Sequence, residues 1–214
     1  MTYCVRPMCQ ADLTQVTEID REAFPTQLPP ANYRQELQNR LAHYIVACDD
    51  SRTYEEPEAK PEQGFSRLTS RIKQWLYRNR PPEDDSSRSN KQYIVGFSGI
   101  WVMADEAHIT NIAVRQQYQR QGLGEMLLIY TIDLAKELKA SVMTLEVRTS
   151  NIAAQNLYSK YGFTKVGIRR GYYLDDREDA IIMSTDNINS DLFRTHLQQL
   201  RKDLARKWGY VLPE

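Results

Sequence analysis

The run Tyr118-Gln119-Arg120-Gln121-Gly122-Leu123-Gly124 sets an arginine and two glycines between an apolar stretch and a long helical pattern, a spacing that can grip a phosphate. Glycine lets the backbone approach closely, and the N–H groups of a first helical turn have no partner inside the helix, so they point outward at an anion. The run lacks the Gly-Lys-Ser/Thr ending of a Walker loop and the third glycine of a dinucleotide fingerprint. Glycines at a helix start can also do no more than cap it, so the turn alone leaves both readings open. Glu146 offers a second chemistry. It stands between Leu145 and Val147 in an apolar strand, where alternation turns it to the face opposite both. A carboxylate in such a strand is costly unless it is paired or pushed toward neutrality, and burial would make it a better base near neutral pH. The competing reading is an ion pair with Arg148 on the same face.

These residues need elements to position them. Ala107–Val114 reads as a strand, and Met126, Leu127, Ile129, Tyr130, Leu134 and Leu138 continue beyond the turn as a helix with a broad apolar face. Tyr3–Arg6 alternates as a first strand. Ala11–Phe24 follows as a helix, and a second helix is expected over residues 31–42 after Pro25, Pro29 and Pro30. Tyr44–Cys48 and Tyr93–Val102 are further strands. Residues 49–92 lie between them, far longer than an ordinary connection, and form an insertion. Its acidic, polar flanks suit a disordered chain. In its centre Phe65, Leu68, Ile72, Trp75 and Leu76 fall at helical spacing among arginines and lysines. A basic amphipathic helix there could meet a membrane surface, RNA or a partner, or pack back on the domain. Past the last core strand, Ala180–Ser184, the residues Leu192, Phe193, Leu197, Leu200 and Leu204 mark a helix in the tail. Cations near its end suit a helix C-terminus without any partner, although ribosome or RNA contact is an alternative. The order β-α-α-β-β-β-α-β-α-β-β implies an α/β (α+β) domain, a mixed sheet flanked by helices.

Four blocks narrow the reading: Asn111-Ile112-Ala113-Val114; Leu145–Asn151 running into Ala153–Phe163; Ile168–Tyr173; and Arg177–Met183. With the turn, a Gln/Arg-x-x-Gly-x-Gly/Ala pattern, they resemble the GNAT superfamily of N-acetyltransferases, and within it the bacterial ribosomal-protein-alanine N-acetyltransferases. The resemblance implies the GNAT fold, a mostly antiparallel sheet in which two central parallel strands, here 107–114 and 142–147, splay apart around acetyl-CoA. It assigns Arg120, Gln121, Gly122, Leu123, Gly124 and Glu125 to the pyrophosphate, and Ile112, Ala113 and Val114 to the pantetheine arm, with the Val114 N–H as oxyanion donor. Asn151 takes the place of a cofactor-contacting asparagine, and it also suits helix N-capping. Glu146 becomes the proton acceptor and Tyr158 the proton donor to the leaving sulfur. Without the family context Tyr158 is equally a core tyrosine. Arg169, Tyr172 and Tyr173 would lie on the hairpin that covers the peptide acceptor, although aromatic pairs also stabilise hairpins.

The implied acceptor is the N-terminal alanine of a small-subunit ribosomal protein. An α-amino group near pKa 8 offers far more free amine at neutral pH than a lysine near 10.4. Two departures bear on it: Phe24-Pro25 is followed by Thr26 where relatives often carry tryptophan, and the insertion and tail add to the family core. The domain organisation expected is an acetyltransferase unit over 1–184, interrupted at about 49–92, then a helical extension over 185–214. Competing functions are acetylation of another amine, a protein lysine or a small molecule, and a coenzyme A-binding regulatory or ribosome-docking module without turnover. The 214 residues carry 28 basic and 28 acidic side chains, so no global charge draws in nucleic acid, and no DNA partner is expected. The three cysteines, Cys4, Cys9 and Cys48, lack metal-ligand spacing, and no metal site is expected. Reduced thiols, no secretory signal and no long apolar run point to a cytoplasmic setting.

Overall fold

The segments read as strands join one seven-stranded sheet in the order β1-β2-β3-β4-β5-β7-β6. A computed structural model describes residues 3–26, 31–54 and 92–209. Its elements are β1 (Tyr3–Pro7), α1 (Leu13–Ala23), α2 (Tyr33–Glu36), β2 (Ala42–Thr53), β3 (Gln92–Met103), β4 (Glu106–Val114), α3 (Leu123–Glu137), β5 (Val142–Arg148), α4 (Ile152–Lys160), β6 (Phe163–Arg169), β7 (Ala180–Thr185) and α5 (Asp191–Trp208). The basic amphipathic helix expected around residues 65–80 lies outside the described residues.

Strand alternation divides the core. Ile45, Ala47 and Val95 face α3, whose Leu127, Leu128 and Ile132 are fully buried, while Val46, Cys48, Ile94 and Phe97 face Val16 and Ile19 of α1 and Tyr33 of α2. The second helix is shorter than expected. Asn32 caps it, but after one turn the chain tightens into Gln38 N–H to Gln35 O and Asn39 N–H to Glu36 O bonds. The Asn39 side chain then accepts the Leu41 N–H at 3.1 Å, a local bond that competes with helix continuation. β2 runs on past Cys48 to Thr53, since Asp49 still pairs with Tyr93 and Thr53 with Gln92.

The central feature lies between β4 and β5. They pair in parallel from Glu106–Val142 to Ile109–Leu145 and no further. Beyond that point each strand stays held by its outer neighbour: Val114 opposite Gly96 of β3, and Arg148 opposite Ala180 of β7. The sheet therefore opens into a wedge with Thr110–Val114 on one wall and Glu146–Arg148 on the other. Close packing behind it fixes Gly99, where an added Cβ would lie 2.2 Å from the Tyr44 ring.

The tail helix α5 is present and packs on the α3 side of the core through Phe193, Leu197, Leu200 and Leu204. Leu192, expected on that apolar face, is instead 84% exposed, because it falls one position off the buried stripe.

Candidate active site

One wall of the wedge supplies backbone donors. The Arg115 N–H bonds Val95 O across the β3–β4 ladder at 2.8 Å. Donors alternate along a strand, so the N–H groups of Val114 and Ile112 face away from β3, into the wedge. The Val114 carbonyl points the same way and accepts the Gln119 side-chain amide at 3.2 Å. Ala113 is buried on the α1 side, leaving backbone contact as its route to a ligand.

At the mouth the chain passes through a 3-10 turn, Gln116–Tyr118, into two left-handed residues, Arg120 with φ 63° and Gly122 with φ 97°. Gly122 starts α3, whose Met126 N–H makes the bond back to Gly122 O at 3.0 Å. The N–H groups of Leu123, Gly124 and Glu125 therefore precede the helical ladder and present a positive helix end. Leu123 has its side chain buried, so it can offer a ligand only its backbone. The Glu125 carboxylate is drawn aside by Lys160 at 2.8 Å and the Tyr161 hydroxyl at 3.3 Å. A Cβ added at Gly124 would touch only Leu157, at 3.6 Å, so backbone and ligand can approach there. Splayed strands with inward N–H groups and an exposed helix N-terminus fit an elongated amide-bearing arm that ends in a diphosphate.

Glu146 stands at the point where the strands part, its side chain only 8% exposed. Its Oε2 lies 3.0 Å from His108 Nε2 and its Oε1 lies 3.0 Å from Arg169 Nε. The expected alternative partner, Arg148, goes elsewhere: it binds Asp175 at 2.7 Å, Glu178 at 2.9 Å and Asp176 at 3.0 Å, and stacks 3.9 Å over the Tyr173 ring. Parallel register explains the choice. His108 sits opposite Thr144, which puts its ring on the same face as Glu146, while Arg148 lies past the parting point. His108 Nδ1 is 2.9 Å from Thr144 Oγ1, which reaches Glu106 Oε1 at 2.6 Å. Thr144 therefore bridges the His108 ring and the Glu106 carboxylate through its single hydroxyl.

Tyr158, on α4, stacks at 5.8 Å on Phe163. Burial, with Tyr173 nearby, pushes its phenol up to about 12. Tyr172 and Tyr173 meet edge to face at 5.2 Å, and the Arg169 guanidinium lies 5.6 Å from the Tyr172 ring. Burial, with the charge of Glu146 second, raises Tyr172. Asn151 caps α4, its side chain accepting the Ala154 N–H at 3.1 Å. Arg148 and then Thr26 hold Asp175 well below the usual carboxylate range.

The structure thus gathers Glu146, Arg169, Tyr172, Tyr173 and Tyr158 around one opening, with residues 120–125 at its mouth. Arg169 is ion-paired to Glu146, a placement the sequence did not suggest. His108, Thr144 and Glu106 were missed altogether. The available signal was that 106, 108 and 110 alternate with polar groups, as do 144, 146 and 148. An open depression of about 520 Å³ is lined by Glu22, Tyr93, Arg115, Gln116 and Gln117. Its arginine is already engaged by Glu18 at 2.9 Å and Glu22 at 3.3 Å.

A splayed mixed sheet with a glycine turn at a helix N-terminus and a carboxylate in the gap fits an acyltransferase. The acetyltransferase (GNAT) family matches residues 13–163. The chain belongs to this family and is an acetyl-CoA-dependent N-acetyltransferase. A candidate ribosomal protein bS18-alanine N-acetyltransferase of Bacillus subtilis is 33% identical over 180 residues, 84% of this chain and 92% of that protein. The Escherichia coli K12 ribosomal protein bS18-alanine N-acetyltransferase is 48% identical over 93 residues, 42% of this chain and 63% of that protein. The solved E. coli ribosomal-protein-S18-alanine N-acetyltransferase superposes with a TM-score of 0.58 at 26% identity, covering 87% of this chain and 94% of that one. Among the described residues, no helix is long and apolar enough to cross a membrane.

Proposed function

We propose that this chain acetylates the N-terminal amine of a small-subunit ribosomal protein, with the alanine terminus of bS18 as its acceptor, in a cytoplasmic setting. The observation that carries the reading is the buried Glu146 at the parting point of β4 and β5, linked through His108 and Thr144 to the exposed Glu106. The two relatives named for bS18-alanine acetylation support the acceptor.

Bound acetyl-CoA supplies an acetyl group on a thioester, and no protein side chain has to carry that group. Residues 120–125 hold the diphosphate through first-turn N–H groups. Ile112 to Val114 line the arm, and the Asn151 amide reaches it while its oxygen caps α4. Glu146 takes the proton of the attacking amine, with His108 and Arg169 orienting its carboxylate. The Val114 N–H faces the oxygen on which negative charge grows. Tyr158 keeps its proton to about 12 and delivers it to the departing sulfur. Tyr172 and Tyr173 frame the acceptor backbone, and Thr26, bonded to Asp175, replaces a bulkier wall. The unit over 1–184 carries this chemistry, with 49–92 inserted and 185–214 as a helical extension. Of the basic side chains of α5, Arg201 pairs with Asp133 and Arg206 with Asp203.

The test is thiol release from acetyl-CoA with two peptides, one beginning with the bS18 alanine terminus and one N-terminally blocked with an internal lysine. Turnover restricted to the first is expected. Turnover restricted to the second would reject the acceptor, and silence with both alongside tight coenzyme A binding would favour a docking module.

A further inference from the structure

The tail helix is joined to the cofactor turn as well as to the core. The Trp208 indole N–H donates to the Gln121 carbonyl at 2.7 Å. Gly122 faces the same helix, where an added Cβ would lie 3.0 Å from Leu204 Cδ1 and 3.1 Å from Trp208 Nε1. The Trp208 ring also packs 5.6 Å from Tyr3, whose hydroxyl lies 3.5 Å from Gln121 Oε1. The backbone of Gln121 is therefore held from outside the turn, while its side-chain amide donates to the Gln117 carbonyl at 3.0 Å.

The turn needs such a hold. Arg120 sits at φ 63°, a left-handed conformation that costs a non-glycine residue free energy unless its surroundings fix it. A Gln121 carbonyl free to rotate could also turn its negative end toward the anion that the α3 N-terminus attracts. The indole bond keeps that oxygen on the far side. α5 is firmly seated: Leu204 is 2% exposed, Arg201 pairs with Asp133 of α3, Ser190 caps its start and Gly209, at φ 71°, ends it.

We propose that α5 is a brace for the cofactor turn, in which Trp208 and Leu204 are positioning residues that fix Gln121 and Gly122 so that the α3 N-terminus is presented to the diphosphate. The inference rests on the reading of residues 120–125 as the diphosphate grip. The brace acts on affinity for the diphosphate end of the cofactor and leaves the chemistry at Glu146 untouched.

The experiment compares wild type, Trp208→Phe and Gly124→Glu in the full chain. Calorimetry gives the coenzyme A affinity, and turnover is measured with acetyl-CoA and with S-acetyl-pantetheine, which lacks the diphosphate. Trp208→Phe keeps a ring and removes only the donor, so coenzyme A binding should weaken about three- to tenfold, the range expected for one hydrogen bond. The acetyl-CoA KM should rise in parallel, with kcat at saturation and kcat/KM for S-acetyl-pantetheine unchanged. Unaltered coenzyme A affinity, or an equal loss with both thioesters, would overturn the brace. Gly124→Glu places a carboxylate at the grip. If it weakens coenzyme A while Trp208→Phe does not, the brace alone fails; if it has no effect, the reading of the turn itself fails. Hydrogen exchange on the unmodified protein gives a second check. Coenzyme A should slow exchange at Gln121–Glu125 and at Ala205–Trp208 together, and slowing confined to the turn would also overturn the brace.

Discussion

A proton moved in the wedge has two side chains to pass between, and their surroundings differ. Glu146 divides its oxygens between His108 and Arg169, each at 3.0 Å, whereas Tyr158 lies among aromatic rings and is pushed up to about 12 by burial. A phenol shifted upward stays protonated until pH rises through its folded value, so Tyr158 remains a donor across the ordinary working range. We expect Tyr158→Phe to lower kcat about a hundredfold with little effect on coenzyme A binding. The wild-type kcat profile should stay flat through pH 10, as expected for a phenol raised to about 12, and a Tyr158→Phe variant that turns over close to the wild-type rate would reject the assignment. Glu146 stood out in the sequence because a carboxylate inside an apolar strand is conspicuous, and Tyr158 only through the family resemblance at its place before the Gly-Phe exit. His108 was not legible. Its importance depends on the register between β4 and β5, which places it opposite Thr144 and beside Glu146.

Between β6 and β7 the chain forms an acidic loop closed on one arginine. Arg148 gathers Asp175, Asp176 and Glu178, and Glu178 is held down to about 2 by Arg148 and then by the Ser150 N–H. A depressed carboxylate stabilises the folded loop above its unfolded value and loses that contribution as pH falls through the folded one. The loop should therefore keep its order through mildly acidic pH and loosen only toward about 2. Arg148→Met should speed hydrogen exchange at residues 171–178 and raise the acceptor KM, while coenzyme A affinity holds; an unchanged acceptor KM would contradict the role of this loop. Here the sequence left an ion pair between Arg148 and Glu146 open as the competing reading. Arg148 follows Glu146 by two residues on the same face, but the strand passes the parting point before reaching it, and its partners come from a loop distant in the chain. The second helix failed for a local reason, since Asn39 offers side-chain bonds that end it after α2. The succession of strands was readable because alternation is a property of single segments, and the splayed pair came from the family resemblance.

At the scale of the molecule, the sheet has α1 on one face and α3 with α5 on the other, and the wedge opens between two half-sheets each held at its outer edge. The amphipathic spacing of the tail made α5 legible, but its contact with the cofactor turn was not, because no local pattern links Trp208 to Gln121. Leu197 is 4% exposed within the cluster that also holds Leu127 and Met143. Leu197→Ala should cost about 2–5 kcal/mol, the range for a truncated core leucine. It should also leave one cooperative unfolding transition; a separate early transition would mean that α5 melts apart from the sheet. The central claim concerns the carboxylate in the wedge, and the most direct test is the rate of acetyl transfer to an alanine-starting peptide by wild type and Glu146→Gln, with coenzyme A affinity measured on both. The expected result is a loss of about 10²- to 10⁴-fold in kcat at unchanged coenzyme A affinity. Turnover by Glu146→Gln close to that of wild type would contradict it.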